Sequence, residues 1–248
     1  MTRRQAFDVA ALVLLLLALW QGLYWLGGET ALSSPRETVI ELARLLGSAS
    51  FWPHARESGT ALLAALAIAA AGGVALGLAL GLNRFAATTV EPILVALYSL
   101  PKITLYPLIL LLFGLGMPAK IAFGAIHGIV PVTLFTLNSV RNLKPVLLRT
   151  ARVFRLGTGA TVWRVVIPAA LPEIVSGLRL GFSLTLLGVL LGEMFASQRG
   201  LGFLVMNAIG LHDVPTMMAV TLLLAVFAVA VSVLLLRLDR RLHRGAYG

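Results

Sequence analysis

The chain contains no cysteine and few charged residues. Without a cysteine among its 248 residues, it forms no disulfide bonds and no thiolate metal sites. Charged residues make up 12% of the sequence and hydrophobic residues 59%, whereas soluble domains average about 25% and about 45–50%. With a mean hydropathy of +0.95, the chain has more apolar surface than one aqueous core buries. Lipid must therefore be the solvent for much of this protein.

Acidic residues are also scarce, 10 against 20 basic ones. A basic excess can indicate a nucleic-acid partner, but here the basic residues stand in the short polar segments between apolar runs. That distribution is typical of a membrane protein whose loops are sorted by charge. We therefore predict no nucleic-acid partner and a lipid bilayer as the surroundings.

Six apolar runs are long enough to cross a membrane. About 20 residues of helix span roughly 30 Å of hydrocarbon, and backbone groups in lipid must be satisfied internally, which favours helices. The predicted fold class is an all-α membrane protein of about six transmembrane helices. Their predicted limits are residues 7–26, 58–82, 91–113, 119–138, 173–195 and 214–236. The first run is longer than the apolar core of a signal peptide, so we interpret it as a retained helix.

Polar segments divide the chain into three predicted parts. Residues 1–57 comprise the first span and an amphipathic segment at the outer surface, where Ser34, Pro35 and Glu37 have the pattern of a helix start. Residues 58–236 form a core of five spans, with a helical cytoplasmic loop at 141–172 between spans four and five. Residues 237–248 form a basic cytoplasmic tail.

Six spans place both termini on one side of the membrane, and the basic residues then divide unequally. One side has thirteen and the other has five, and the remaining two, Lys102 and Arg179, lie within or near spans. The thirteen are Arg3, Arg4, Arg84, Arg141, Lys144, Arg149, Arg152, Arg155, Arg164, Arg237, Arg240, Arg241 and Arg244, and the five are Arg36, Arg44, Arg56, Lys120 and Arg199. Because basic loops stay in the cytoplasm, we predict that both termini are cytoplasmic.

Span two carries a small residue at every fourth position. These residues are Ala65, Ala69, Gly73, Gly77 and Gly81. Small side chains let two helix backbones approach closely in lipid. The stripe predicts either packing inside this chain or a contact between subunits.

The 141–172 loop is the most informative part of the sequence. Its pattern predicts two helical pieces, 145–156 and 161–167, separated at residues 157–159. Each piece has apolar residues such as Phe154 on one side and arginines on the other. A channel or a simple carrier does not require such a loop. A pump driven by a separate motor subunit does require one, because a rigid element must transmit the motion of that subunit to the spans.

This loop resembles the EAA loop of bacterial ABC importer permeases. When the pattern is anchored on Pro168, Ala151 stands at its second alanine, Arg149 at its glutamate and Arg155 at its glycine. Of the glutamate, the two alanines and the glycine, only the second alanine is kept. Thr150 replaces the first alanine, Arg149 reverses a charge, and Gly157 and Gly159 lie close enough to Arg155 to supply the turn. The resemblance assigns contact with an ATPase to Arg149, Thr150, Ala151, Phe154, Arg155, Gly157 and Pro168.

Further segments resemble the nitrate/sulfonate/taurine branch of that family, in the same order along the chain. They are residues 51–54, 99–102, 113–116, 169–172, 192–194 and 200–202. The resemblance implies ATPase subunits, which carry ATP and Mg²⁺, a second permease, identical or different, and an extracytoplasmic solute-binding protein. It also implies a bacterial cytoplasmic (inner) membrane and a small anionic or vitamin-like solute. This chain would hold no cofactor and would not be an enzyme, in agreement with its lack of a phosphate-binding Gly-x-x-x-x-Gly-Lys-Ser/Thr motif.

Three polar side chains inside the predicted spans are candidates for a solute pathway: Lys102, His127 and Glu193. Lys102 follows Pro101, where we expect a kinked or broken helix, a common feature of transport paths. Each also has a plainer interpretation. Lys102 would pair with a carboxylate or a backbone carbonyl, His127 would be a buried hydrogen-bonded histidine, and Glu193 would form a salt bridge or meet solvent at the outer surface.

Two other classes of protein fit an apolar chain. An ion-coupled carrier or channel without an ATPase would have more intramembrane carboxylates than Glu193 alone, internal repeats and a plain loop at 141–172. A membrane enzyme would need nucleophiles or metal ligands that converge, and the sequence has no such cluster. His54 and His212 lack partners at metal-ligand spacing, so no metal site is predicted.

Overall fold

A computed structural model describes residues 3–28 and 30–246, and every regular element within them is helical. The helices are α1 (Arg3–Gly27), α2 (Pro35–Gly47), α3 (Phe51–Gly81), α4 (Arg84–Ser99), α5 (Tyr106–Phe113), α6 (Met117–Arg141), α7 (Pro145–Val153), α8 (Thr158–Thr161), α9 (Ile167–Ala196), α10 (Leu201–Gly210) and α11 (Val214–Ala246). A 3₁₀ turn at Lys102–Leu105 precedes α5, and a π-helical turn at Val162–Val166 joins α8 to α9.

Five helical stretches are long and apolar enough to cross a membrane alone. They are α1, α3, α6, the continuous stretch Thr158–Phe195 that contains most of α9, and α11. The pair Arg84–Ser99 and Lys102–Phe113 passes the same test jointly, with an 89° bend between its halves. With the bent pair counted as one span there are six, which confirms the predicted all-α membrane fold.

The predicted break in the third span is confirmed and lies at Pro101. Helix α4 ends at Ser99, Leu100 is extended, and the 3₁₀ turn begins at Lys102. Pro101 has no N–H to bond back into α4, and its ring disfavours a helical conformation at the preceding residue. The chain therefore leaves the axis of α4 and continues almost at a right angle to it.

The centre of the bundle is α6, which packs between α3 and α9. The backbones come close because the facing positions are small. A Cβ added at Gly77 of α3 would lie 2.4 Å from Thr136 Cβ and 2.8 Å from the Thr133 carbonyl oxygen. A Cβ at Gly128 of α6 would lie 3.0 Å from Ala69 Cβ. The stripe of span two thus packs inside this chain, the first of its two interpretations.

The start of the fifth span differs from the prediction. Helical structure begins at Thr158 rather than at residue 173, because the π-helical turn carries the helix past Pro168. The Ile167 N–H bonds to the Val162 carbonyl, one residue further back than in an α-helix. The missing N–H of Pro168 therefore falls where the hydrogen-bond register changes.

Other limits differ as well. Helix α3 starts at Phe51 rather than at residue 58, and α10 was not predicted. Helix α11 continues to Ala246, so the predicted tail is helical over 237–246, while residues 247–248 lie outside the described residues. The cytoplasmic position of this tail stays a prediction.

The predicted helix start at Ser34 is confirmed as a capping box. Ser34 Oγ accepts a hydrogen bond from the Glu37 N–H at 3.2 Å, and the Glu37 carboxylate accepts one from the Ser34 N–H at 3.1 Å. The backbone bond first, and then the hydroxyl, hold the pKa of Glu37 below its usual range. Helix α2 packs on α11, and its place at a membrane surface stays a prediction.

Candidate functional site

The 141–172 loop turns sharply after α7. The Leu156 N–H bonds to the Ala151 carbonyl and the Arg155 N–H bonds to the Arg152 carbonyl, each at 3.0 Å. This pair of bonds is the Schellman motif, which ends a helix with one residue in the left-handed region. That residue is Arg155, with φ of 51°.

The two predicted helical pieces are confirmed, but they separate at residues 154–157 rather than at residues 157–159. Gly157 has φ of −65° and caps α8, and Gly159 lies within α8. The reversal comes earlier because the last carbonyls of α7 are satisfied by the Schellman bonds, and these bonds fix the left-handed residue at Arg155. An arginine thus occupies the position at which the family that the loop resembles has glycine, the residue that adopts this conformation without strain.

The loop presents apolar and basic side chains to its surroundings. Val153, Phe154 and Trp163 are 78%, 72% and 74% exposed. Arg149, Thr150, Arg155, Gly157 and Pro168 are exposed too, whereas Ala151 is buried and helix α7 packs on the π-helical turn. The residues assigned to ATPase contact therefore form an outward surface, apart from Ala151.

Lys102 lies at the break in the third span and is buried. Its Nζ donates a hydrogen bond to the Tyr98 carbonyl at 3.2 Å and lies 5.3 Å from the centre of the Tyr98 ring. Within residues 3–28 and 30–246, Lys102 forms no ion pair. Its positive charge is thus held by a carbonyl dipole and a ring face, without a neutralising carboxylate.

His127 is buried in the centre of α6. Its Nδ1 lies 2.8 Å from the Phe123 carbonyl oxygen, and its ring packs edge to face against Phe123 with the centroids 4.5 Å apart. A Cβ added at Gly188 of α9 would lie 2.9 Å from this nitrogen. His127 has the surroundings of a packed, hydrogen-bonded histidine, and a role in a solute pathway stays a prediction.

Glu193 is completely buried near the end of α9. Ser58 Oγ lies 2.7 and 2.8 Å from its two oxygens and donates to this carboxylate, and the Gly202 N–H donates to Oε2 at 2.9 Å. The Leu201 N–H donates in turn to Ser58 Oγ at 2.7 Å. The carboxylate therefore holds the start of α10 against α3, and Glu193 does not meet solvent at the outer surface.

An ion pair between the buried Lys120 and the partly exposed Glu57 lies beside this carboxylate. Lys120 Nζ lies 3.0 Å from Glu57 Oε1 and donates to the Arg199 carbonyl oxygen at 2.8 Å, with the Lys120 side chain 1% exposed. His54 Nδ1 accepts from the Gly200 N–H at 3.2 Å. We call these residues and the Glu193 contacts the Glu193 cluster: His54, Glu57, Ser58, Lys120, Glu193, Arg199, Gly200, Leu201 and Gly202.

Most of the Glu193 cluster could not be found from the sequence. Its members lie on four elements, and only the spacing of Glu193 to Gly200 and Gly202 is a local signal. Gly200 has φ of 124°, and a Cβ there would lie 2.3 Å from the Glu193 carboxyl carbon. In the described part of the chain, neither Lys102 nor His127 forms a hydrogen bond to Glu193 or to the other.

A cavity of about 860 Å³ opens at the other end of α6, beside the 141–172 loop. It lies between α4, α6, α7 and α9, and Lys102, His127 and Glu193 are not in its wall. Its lining residues are Val95, Leu134, Phe135, Asn138, Ser139, Asn142, Leu143, Lys144, Leu147, Pro168, Ala169, Pro172 and Glu173.

The fold has six spans, a third span broken at a buried lysine, and an exposed helical loop between spans four and five. Together these features define a multi-pass membrane transport subunit. Residues 71–245 match the family described as binding-protein-dependent transport system inner membrane component. The chain belongs to this family, the ABC importer permeases, and within it to the nitrate/sulfonate/taurine branch. Its members are transport subunits and not enzymes, and they are components of import systems, which implies ATPase and binding-protein partners.

Individual relatives cover most of the chain. It is 28% identical to the taurine transport system permease protein TauC of Escherichia coli (strain K12), over 98% of this chain and 90% of TauC. It is 30% identical to the riboflavin transport system permease protein RibX of Chloroflexus aurantiacus, over 96% and 90%. It is 29% identical to the nitrate import permease protein NrtB of Leptolyngbya laminosa, over 84% and 77%.

Proposed function

We propose that this chain is the permease half of an ATP-driven importer and moves a small anionic or vitamin-like solute across a bacterial cytoplasmic membrane. A second permease, identical or different, completes the pathway. Separate ATPase subunits, which carry ATP and Mg²⁺, drive it, and an extracytoplasmic binding protein delivers the solute. The observation that carries the proposal is the exposed 141–172 loop in a chain of the ABC importer permease family.

The loop is suited to transmitting a movement. Helical structure is continuous from Thr158 to Ala196, so a displacement at the loop moves α9 as a unit. Helix α9 packs along α6 and carries Glu193 near its far end. Closure of an ATPase around the loop is thereby linked to the position of α10, which Glu193 holds. Small shifts of packed helices are a common way of switching between two states.

In the proposed orientation, the 141–172 loop and both termini lie in the cytoplasm. The basic residues favour this side by thirteen to five. Contacts support the division into two ends, because Glu57 and Lys120 meet at one end while Arg141 pairs with Glu91 and Arg179 approaches Asp239 at 3.8 Å at the other. In this orientation the Glu193 cluster lies toward the binding protein.

Lys102 supports an anionic solute. Its ammonium group lies at a break in a span and has no carboxylate partner among the described residues, so an anion that passes close would find an uncompensated charge. Taurine and nitrate, named for two relatives, have an anionic group. Riboflavin, named for a third, represents the vitamin-like class.

Uptake into proteoliposomes tests this function. The permease is reconstituted with its ATPase and its binding protein, and ATP-dependent uptake of taurine, nitrate and riboflavin is measured. For an anionic solute, Lys102→Met should raise KM about tenfold, as expected when a charge loses its partner, whereas Lys102→Arg and the control Arg84→Gln should behave like the unmodified chain.

Two results would contradict parts of this proposal separately. Uptake that stays intact in Lys102→Met at every solute concentration would end the pathway role of Lys102. If no ATPase copurified with the unmodified permease under conditions that preserve related complexes, the importer role itself would fail. An ion-coupled carrier or channel without an ATPase would then be the remaining interpretation.

A further inference from the structure

The 141–172 loop has charge of one sign only. It contains six basic residues and no acidic residue: Arg141, Lys144, Arg149, Arg152, Arg155 and Arg164. Arg141 pairs with Glu91 of α4. The four remaining arginines are exposed and form no ion pair within the described part of the chain. Whatever surface receives this loop must therefore supply the negative charge that the loop lacks.

One side of α7 points away from the rest of the protein. Ala151 is 2% exposed, while its neighbours two positions away, Arg149 and Val153, are exposed. At 100° per residue these two project about 160° from Ala151 and share one face of the helix. Phe154 follows directly, at the turn. The exposed face of the loop thus combines Arg149, which forms no ion pair within the described residues, with the exposed apolar side chains of Val153 and Phe154.

The composition of this face is typical of a protein interface. Aromatic residues and arginine are enriched in the buried centres of interfaces, and lysine is depleted. Here the apolar residues are Val153, Phe154 and Trp163, and five of the six exposed basic residues of the loop are arginines. The planar guanidinium group binds carboxylates through two parallel hydrogen bonds, which lysine cannot do.

We propose that the surface that receives this loop is an apolar groove bordered by acidic side chains, on the ATPase subunit. The inference rests on the proposed function and specifies the partner. Docking unpaired arginines against a neutral or basic groove would strip them of water without compensation. Because Arg149 stands where the family pattern has glutamate, the groove that faces it has the charge opposite to that of a groove built for glutamate.

Binding of the ATPase to the permease in nanodiscs tests the charge of the groove. The discs are made of zwitterionic phosphatidylcholine, and the dissociation constant is measured at low and high sodium chloride. The variants are Arg149→Glu, Arg149→Gln and the control Arg84→Glu, which reverses an exposed arginine at the start of α4. Thermal unfolding of each variant checks that the permease remains folded.

An acidic groove predicts a graded loss of affinity. Arg149→Glu should weaken binding about tenfold or more at low salt, Arg149→Gln should fall between, and Arg84→Glu should stay within about twofold. The difference should shrink at high salt, since ions screen the attraction. If Arg149→Glu bound the ATPase as well as the unmodified chain or better, the proposal would be overturned.

Anionic lipid is the competing occupant, and Trp163 reports on it. Its emission is obtained as the difference between the unmodified chain and Trp163→Phe. A shift to shorter wavelength when the ATPase is added in phosphatidylcholine discs supports the proposal. A shift that requires only phosphatidylglycerol, with none on adding the ATPase, would place the loop on the membrane and overturn it. Failure of the unmodified chain to bind the ATPase would instead refute the proposed function, and this inference with it.

Discussion

The two ends of the bundle differ in the exposure of their polar groups. In the Glu193 cluster, the Glu193 carboxylate, the Lys120 ammonium group and three backbone N–H groups are buried or partly buried, and each is bonded to another member of the cluster. In the 141–172 loop, four arginines and three large apolar side chains are exposed. The first end is completed inside this chain, whereas the second is left exposed, and we propose that the ATPase completes it.

The same contrast appears in the backbone. Each end has a residue with positive φ, Gly200 at 124° and Arg155 at 51°. At Gly200 a side chain would collide with the Glu193 carboxylate, so glycine is required. At Arg155 the side chain is exposed, so a residue larger than glycine is tolerated at the cost of backbone strain. At the Glu193 cluster, packing therefore determines which residue is allowed at the turn. At the 141–172 loop, only the backbone conformation is restricted.

The largest effect is expected at Glu193. Glu193→Ala leaves the Ser58 hydroxyl and the Gly202 N–H without their acceptor in a buried site, which costs about 2–4 kcal/mol in the free energy of unfolding. Glu193→Gln keeps one acceptor oxygen and should lose less. Thermal unfolding in detergent checks the order. Equal stability of Glu193→Ala and the unmodified chain would show that this end is not closed by the carboxylate.

The second largest effect is expected where α3 meets α6, between the two ends. In Gly77→Ala, the new Cβ would press on the Thr133 carbonyl and on Thr136, and forcing the helices apart costs about 1–3 kcal/mol. Gly59→Ala in the same helix meets no atom within 4 Å and should stabilise the helix slightly. Opposite signs in thermal unfolding are expected, and a loss at Gly59 as large as at Gly77 would contradict close packing as the cause.

The fold was predictable from the sequence because its signals are local. Length and hydropathy locate the spans, Pro101 locates the break and Ser34 with Glu37 locates the start of α2. The stripe ending at Gly81 shows that some helix comes close, although only the structure identifies it as α6. Each of these signals lies within one helix, where the spacing between residues determines which face of the helix they share.

The remaining features depend on contacts between distant segments. Glu193 is joined to Ser58, 135 residues earlier, and Lys120 to Glu57, 63 residues earlier. No spacing rule connects such pairs, so the sequence identified Glu193 as a candidate but not its partners. The turn at Arg155 was misplaced for another reason: glycine is the usual sign of a left-handed residue, and two glycines nearby drew the prediction to the wrong position.

A smaller effect is expected at Arg155, in the exposed 141–172 loop. Arg155→Gly removes the strain of a left-handed arginine and should stabilise the turn by about 1 kcal/mol. Hydrogen exchange of the Leu156 N–H, which bonds across the turn, should slow. Arg152→Gly is the matched control, because the same change inside α7 should destabilise the helix and speed exchange. Faster exchange in both variants would mean that Arg155 is not strained.

The smallest effect concerns a hydrogen-bonded pair at the start of α2, the exposed Glu37 and the buried Ser34. Because Glu37 has its pKa lowered by the Ser34 N–H and hydroxyl, the ionised carboxylate stabilises the helix start at pH values above the usual glutamate pKa. That contribution is lost as the pH falls through the lowered pKa. In Ser34→Ala the hydroxyl is absent but the backbone N–H remains, so carbon-13 NMR of the labelled carboxyl should give a midpoint nearer the usual range without reaching it. A midpoint unchanged by Ser34→Ala would mean that the hydroxyl contributes nothing.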